Sequence, residues 1–323
     1  MSQIILKPKN YDQQIIYMRF LAIILIVFHH STTIYTCWPP SSLTTLGLPK
    51  VIGIVSSLAK LYGLGLFTFL SGFLLALGGK STIDKNFIWH KTKRILVPCA
   101  IAALVYYLFF MKFANNGDPV NGTHLWYLPM IFIFYFLAPI VNNNNSSKFI
   151  IGTLAFFILA IIFSKVTNIR TFSECFHYIG IFIGGSIFYK FVERIPNIKT
   201  GWILSIAIII LLIQLKDIFS SVGSVLLMCC LYYLLKAIKS KNNFSHKKFF
   251  PTLEKLITLI SNKSFFIYLV HQFVINLCIM LIPYDMPYFK VIMTSVCFFM
   301  SIIVPLLLDF IIQKCKTFAL PSK

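Results

Sequence analysis

Charged residues, and acidic residues above all, are scarce in this sequence. Of its 323 residues only 9 are Asp or Glu, and charged residues of both signs make up 12% of the chain. A soluble globular domain carries about 25% charged residues, so the composition excludes an ordinary soluble protein. Hydrophobic residues make up 58% of the chain, and the mean hydropathy is +0.82. This combination indicates a protein that crosses a membrane many times.

Metal-binding motifs and appended soluble segments are also missing. The sequence has no HExxH pattern, and its 8 cysteines lack the spacing of metal ligands. Most of them lie within apolar runs, where a small buried side chain is their ordinary role. We therefore expect no metal. Apart from the four asparagines at 142–145, the chain has no low-complexity run and no linker, so we expect a single integral-membrane domain over residues 1–323.

The apolar runs predict an all-α fold, a polytopic bundle of about ten transmembrane helices. One span needs roughly 20 apolar residues. The predicted spans cover residues 14–36, 51–78, 95–114, 125–141, 149–164, 174–190, 201–215, 218–237, 264–283 and 289–312. The first apolar run is too long for a signal-peptide core and lacks a clear cleavage site, so we expect it to remain as a helix.

The positive charge of the chain lies mainly between the predicted spans. A net charge of +20 is typical of nucleic-acid binding, but here the insertion of the spans and contact with anionic lipid account for it. With the N-terminus inside, 21 of the 29 basic residues fall in inner segments and six in outer loops. This bias predicts cytoplasmic termini, membrane lipids as partners and no nucleic acid. The largest inner loop, residues 236–263, is expected to lie on the anionic leaflet.

Arg19 and His30 are the polar residues of greatest interest in the first predicted span. Placing an arginine within a membrane helix costs roughly 2.5–3.5 kcal/mol on insertion scales, so such a charge usually faces a partner, a ligand or water. Eleven positions advance a helix by about 16 Å and just over three turns. The two side chains therefore share one stripe at different depths, while His29 points about 100° away from His30.

Two groups of polar residues are predicted, one near each membrane surface. The inner group is a candidate pocket for a phosphorylated cofactor and comprises Arg19, Ser71, Lys91, Lys93 and Arg94. The outer group comprises His29, His30, His124, Trp126, Glu174 and His177. In these groups His30 is a candidate general base, and Glu174 shares a helix face with His177. The ordinary alternative for Lys91, Lys93 and Arg94 is a cluster of basic residues that sets the orientation of the spans. The ordinary alternative for Glu174 is a helix cap. His271, in the middle of a predicted span, is a functional candidate or a buried structural histidine.

Five stretches of the chain carry a resemblance to a known family. They are the Arg19–His30 pair, residues 69–74, residues 93–98, residues 124–128 and residues 266–271. In this order and spacing the chain resembles the membrane acyltransferase-3 family, whose multi-pass bacterial members acylate surface polysaccharides and related carbohydrates.

The resemblance implies an O-acyltransferase, most simply an O-acetyltransferase, of the bacterial inner membrane. Its donor would be acetyl-CoA or another acyl-CoA bound from the cytosol by the inner group. The resemblance implies that the acyl end reaches His30, which would deprotonate the sugar hydroxyl or briefly carry the acyl group. From the outer group, Glu174 and His124 are further catalytic candidates, and Trp126, His177 and His29 are candidates for contact with a glycan acceptor. We expect no extracytoplasmic esterase-like domain of the kind that some members carry, and association with polysaccharide-assembly machinery is a further expectation.

Two other classes of function remain open from the residues alone. A transporter or exporter of a glycan or small anion would use Arg19 as a counter-ion for its substrate. However, no inverted repeat is visible and broken-helix signals are few. A non-catalytic partner of a polysaccharide synthase is the other alternative.

Overall fold

The chain was analysed as a computed structural model, which describes residues 12–33, 50–79, 82–113, 122–142, 170–192, 220–241, 249–281 and 289–319, with a few isolated residues between 202 and 210. Every regular element within these ranges is helical. The α-helices are α1 (Asp12–Thr33), α2 (Lys50–Leu77), α3 (Lys85–Lys91), α4 (Val97–Phe113), α5 (Tyr127–Phe134), α6 (Ala138–Val141), α7 (Arg170–Phe191), α8 (Ser220–Lys241), α9 (Phe249–Asn262), α10 (Ser264–Leu281) and α11 (Phe289–Ala319). A π-helical turn, Thr92–Leu96, joins α3 to α4, and the 3₁₀ helices Gly122–Trp126 and Tyr135–Leu137 precede α5 and α6.

The all-helical, multi-pass membrane architecture is confirmed. Within the described residues, seven helical segments are long and apolar enough to cross a membrane. Helix α7 coincides with the predicted sixth span. The predicted span at 149–164, and most of the one at 201–215, lie outside the described residues. The count of ten spans and the orientation of the termini therefore stay predictions.

One expected loop contains a helix. Residues 236–263 were expected to form an inner loop, but α8 continues to Lys241 and α9 occupies Phe249–Asn262. At 14 residues α9 is shorter than a span, so a search for runs of about 20 apolar residues passes over it. Its apolar residues instead gather on one side, as in an amphipathic helix.

The described residues divide into two compact units. The first comprises residues 1–19, 64–91 and 130–257. In it the backbones of α2 and α7 approach closely, because a Cβ added at Gly72 would collide with the carbonyl of Phe182, and one added at Gly185 with the carbonyl of Phe69. Small residues permit such close helix packing in membranes. Ser186 Oγ donates a hydrogen bond to the Gly72 carbonyl at 3.0 Å across the same contact.

The second unit comprises residues 20–63, 92–129 and 258–323. Its largest packing surface lies between α10 and α11. Side chains including Ile275 and Met293 are fully buried there. Two polar contacts also join these helices or their ends: Lys263 Nζ lies 2.7 Å from Asp309 Oδ2, and Ser301 Oγ donates to the His271 carbonyl at 3.2 Å. This packing fixes the position of His271 within the unit.

Candidate active site

Three imidazoles from distant parts of the sequence meet inside the second unit. His30 comes from α1, His124 from the 3₁₀ helix Gly122–Trp126, and His271 from the middle of α10. The His271 ring centroid lies 5.0 Å from that of His30 and 5.1 Å from that of His124, and the His30 and His124 centroids are 6.2 Å apart. We call His30, His124 and His271 the histidine cluster.

The hydrogen bonds of His271 determine which ring nitrogen is basic. Its Nδ1 lies 2.7 Å from the Tyr268 carbonyl oxygen and 3.2 Å from that of Ile267. Because a carbonyl oxygen only accepts, Nδ1 must carry the proton, and in the neutral ring Nε2 then holds the free lone pair. Nε2 is buried and has no hydrogen-bond partner among the described residues. This atom can therefore accept a proton or a hydrogen bond from a group that enters the cluster.

A hydrogen bond to the backbone of His124 positions the segment that carries this residue. The Tyr268 hydroxyl donates a hydrogen bond to the His124 carbonyl, so α10 positions both His271 and the segment that carries His124. The rings of Tyr106 and Tyr268 lie beside the His124 ring, at centroid distances of 5.4 and 5.7 Å. His124 is buried, and its ring also lies against the backbone of Tyr268 and Leu269 on α10. The ring is thus confined by aromatic and backbone contacts.

His29 faces a different neighbour from His30. Its Nδ1 lies 3.0 Å from both the carbonyl oxygen and the hydroxyl oxygen of Ser56 on α2, and Ser56 Oγ lies 2.6 Å from Thr32 Oγ1. Nδ1 donates to the Ser56 carbonyl, which ties α1 to α2. His29 is therefore part of a network with the hydroxyl groups of Ser56 and Thr32. Of the two adjacent histidines, His30 is the one that belongs to the histidine cluster.

A lysine lies within the span formed by α2, close to this network. Lys60 is one helical turn beyond Ser56 and so lies on the same face of α2. Because His29 contacts Ser56, the face of α2 that carries Lys60 is turned toward α1. An ionisable side chain inside a membrane span is a candidate functional residue by default. Nothing in the sequence spacing of Lys60 connects it to the histidines of α1.

The residues expected to bind cofactor phosphates belong to both units. In the first unit Arg19 and Ser71 are partly buried, and the Ser71 hydroxyl donates to the Phe67 carbonyl at 2.8 Å. The Lys91 ammonium lies over the Tyr135 ring, 3.5 Å from its centroid, a cation–π contact. Lys93 and Arg94 belong to the second unit, where both are exposed on the π-helical turn.

Trp126, His177 and Glu174 are the remaining candidates from the sequence. Trp126 is in the second unit beside Tyr127, with the ring centroids 6.3 Å apart. His177 belongs to the first unit, where its Nδ1 lies 2.9 Å from the hydroxyl oxygen of Ser221. The side chain of Glu174 lies outside the described residues, although its backbone is part of α7.

The histidine cluster raises the question of a metal centre. No group of three or more His, Cys, Asp or Glu side chains in the described ranges is arranged to hold a metal ion. Imidazole is the side chain whose charge changes near neutral pH, so three imidazoles at these distances can serve in proton transfer.

Comparison with known proteins identifies the family. A family model described as an acyltransferase domain matches residues 12–310, nearly the whole chain. The chain belongs to the acyltransferase-3 family. The resemblance seen in the sequence is thereby confirmed, and the protein is a membrane acyltransferase. Searches of the curated proteins and of the solved structures returned no match.

Proposed function

We propose that this membrane acyltransferase transfers an acyl group, acetyl in the simplest case, from acyl-CoA to a hydroxyl of a surface or lipid-linked glycan. The observation that carries the proposal is the meeting of His30, His124 and His271 within one unit of an acyltransferase-3 protein. Imidazole is the side chain most often used as a general base. A polar cluster of this kind inside a membrane protein indicates function rather than packing.

In the proposed reaction His30 takes the proton from the acceptor hydroxyl as its oxygen attacks the thioester carbonyl. The carbon–sulfur bond breaks, and the leaving CoA thiolate takes the proton back from His30. His271 and His124 hold the ring of His30 and hydrogen-bond groups bound in the cluster. Lys60 supplies a positive charge that stabilises the oxyanion formed at the carbonyl, a term that is large in catalytic sites.

For the donor, Arg19, Lys91, Lys93 and Arg94 are proposed to bind the phosphates of CoA. Guanidinium binds phosphate in a bidentate manner, and ammonium acts as a point charge. Ser71 lies within the family-like stretch at residues 69–74 and is placed with them. The expected result is that Arg19→Ala weakens acetyl-CoA binding, measured by calorimetry on purified protein. Unchanged affinity in a folded variant would exclude this role for Arg19.

For the acceptor, we propose Trp126 as a surface on which a sugar ring stacks, with His29, His177 and Glu174 as polar contacts.

We further propose ten spans with both termini in the cytoplasm of a bacterial inner membrane, supported by the asymmetry of basic residues. Labelling of a cysteine introduced at position 245 from outside intact cells would contradict this topology. Association with polysaccharide-assembly proteins remains part of the proposal.

The deciding experiment measures acyl transfer directly. Purified protein in lipid nanodiscs is supplied with acetyl-CoA and an extract of lipid-linked glycans, and mass spectrometry follows both free CoA and acetylated glycan. The proposal expects the two products to appear together and to disappear in His30→Ala. Glycan movement across vesicles without release of CoA would instead indicate a transporter.

A further inference from the structure

Helix α9 has an apolar stripe that stays exposed among the residues that the structure describes. Leu253, Leu256 and Leu259 are 40%, 48% and 47% exposed. Residues three apart on a helix lie about 60° from each other around its axis, so the three leucines form one stripe within an arc of about 120°. Near the end of α9, Ile260 and Ser261 are buried. Ile260 lies about 20° from Leu253 around the helix axis, between Leu253 and Leu256. The apolar side of α9 therefore contacts the protein through Ile260 near the end of the helix, while the three leucines on the same side stay exposed.

A charged residue of each sign lies beside this stripe, one on each side. Glu254 lies about 100° from Leu253 on one side, and its carboxylate accepts a hydrogen bond from Gln13 Nε2 at the start of α1. Lys255 is exposed and lies about 40° beyond Leu259 on the other side. Glu254 thus contacts α1 at an exposed position, while Lys255 borders the exposed leucines.

The sequence around α9 is strongly basic. Between residues 236 and 263 there are seven lysines and one acidic residue, Glu254. Apolar side chains beside lysines are the combination by which an amphipathic helix lies in the interface of an anionic membrane. Each basic residue near such a surface contributes about 1 kcal/mol of attraction.

We propose that α9 binds anionic phospholipid, inserting Leu253, Leu256 and Leu259 among the acyl chains while Lys255 contacts the headgroups. Glu254 anchors the opposite side of the helix to the start of α1, the helix that carries His30. In this proposal bound lipid and the contact with α1 together fix the position of α9. The proposal does not depend on which acyl donor or acceptor the protein uses.

Fluorescence quenching in vesicles tests this proposal. Leu256→Trp is reconstituted in phosphatidylcholine vesicles that contain phosphatidylglycerol brominated on its acyl chains, and the emission of the wild-type tryptophans is subtracted. We expect this variant to lose most of its added emission. The matched control is Asn262→Trp, exposed on the polar side of α9, which should lose little. Leu253→Trp serves as a second reporter if Leu256→Trp does not fold.

A second arm tests the headgroup. With phosphatidylcholine brominated instead, quenching of Leu256→Trp should be weaker, and the added change Lys255→Gln should lower the phosphatidylglycerol signal toward that level. Equal quenching by both lipids would overturn the preference for anionic lipid. Quenching by neither lipid would overturn the insertion of α9 itself. Neither outcome depends on whether the protein transfers acyl groups.

Discussion

His30 and His271 stand with their ring centroids 5.0 Å apart, although one lies near the end of the first helix and the other in the tenth. The hydrogen bonds from Nδ1 of His271 to its own helix leave Nε2 as the basic atom of that ring. A pair of imidazoles in this arrangement can pass a proton between a substrate and the protein.

His30→Ala should abolish detectable acyl transfer, because loss of a general base typically costs about 10²–10⁴ in rate. His29→Ala should have a smaller effect, since His29 bonds to Ser56 rather than to the histidine cluster. Glycan acetylation measured by mass spectrometry, with acetyl-CoA binding measured in parallel, tests both. Equal loss in the two variants, or the reverse order, would remove the distinction between them.

His271→Phe should lower the rate by roughly 10²-fold at least with little change in thermal stability. Phenylalanine fills a similar volume, and the carbonyls that accept from Nδ1 already lie within the hydrogen-bonded helix α10. Turnover and the melting temperature in nanodiscs are measured side by side. A large fall in melting temperature with proportionate loss of activity would assign His271 to packing alone.

Lys60→Met should lower kcat more than it raises KM for the acyl donor, because the proposed charge acts on the oxyanion, which forms only in the transition state. Lys60→Arg keeps the charge and should recover part of the rate. Steady-state kinetics of the two variants provide the test. If methionine and arginine were equally active, the charge at residue 60 would have no part in catalysis.

Gly72→Ala should destabilise the first unit, since the added Cβ would collide with the Phe182 backbone, which can yield only by moving a helix. Overpacking of this kind typically costs 1–3 kcal/mol, so about that loss is expected. Gly53→Ala in the same helix is the control, because a Cβ there meets nothing within 4 Å. Within a helix, alanine is also more favourable than glycine by up to about 1 kcal/mol. Thermal unfolding followed by circular dichroism should give the highest melting temperature for Gly53→Ala, an intermediate one for the wild type and the lowest for Gly72→Ala.

The sequence by itself determined the class of the protein and part of its site. Scarcity of charge and long apolar runs require a helical membrane protein, because backbone polar groups in lipid must be satisfied within each segment. Local spacing also identified the helix that carries Arg19 and His30, and the order of five short stretches identified the family. These are properties of neighbouring residues, which a single helix expresses without any partner.

Only the tertiary structure decided which polar residues meet. His124 and His271 join His30 because α10 packs beside α4 and the 3₁₀ helix Gly122–Trp126, and no periodicity in the sequence relates those elements. The same holds for His177, which was grouped with the outer histidines but contacts Ser221 in the other unit. Helix periodicity specifies the direction of a side chain on its own helix, whereas the partner it meets depends on how the helices pack.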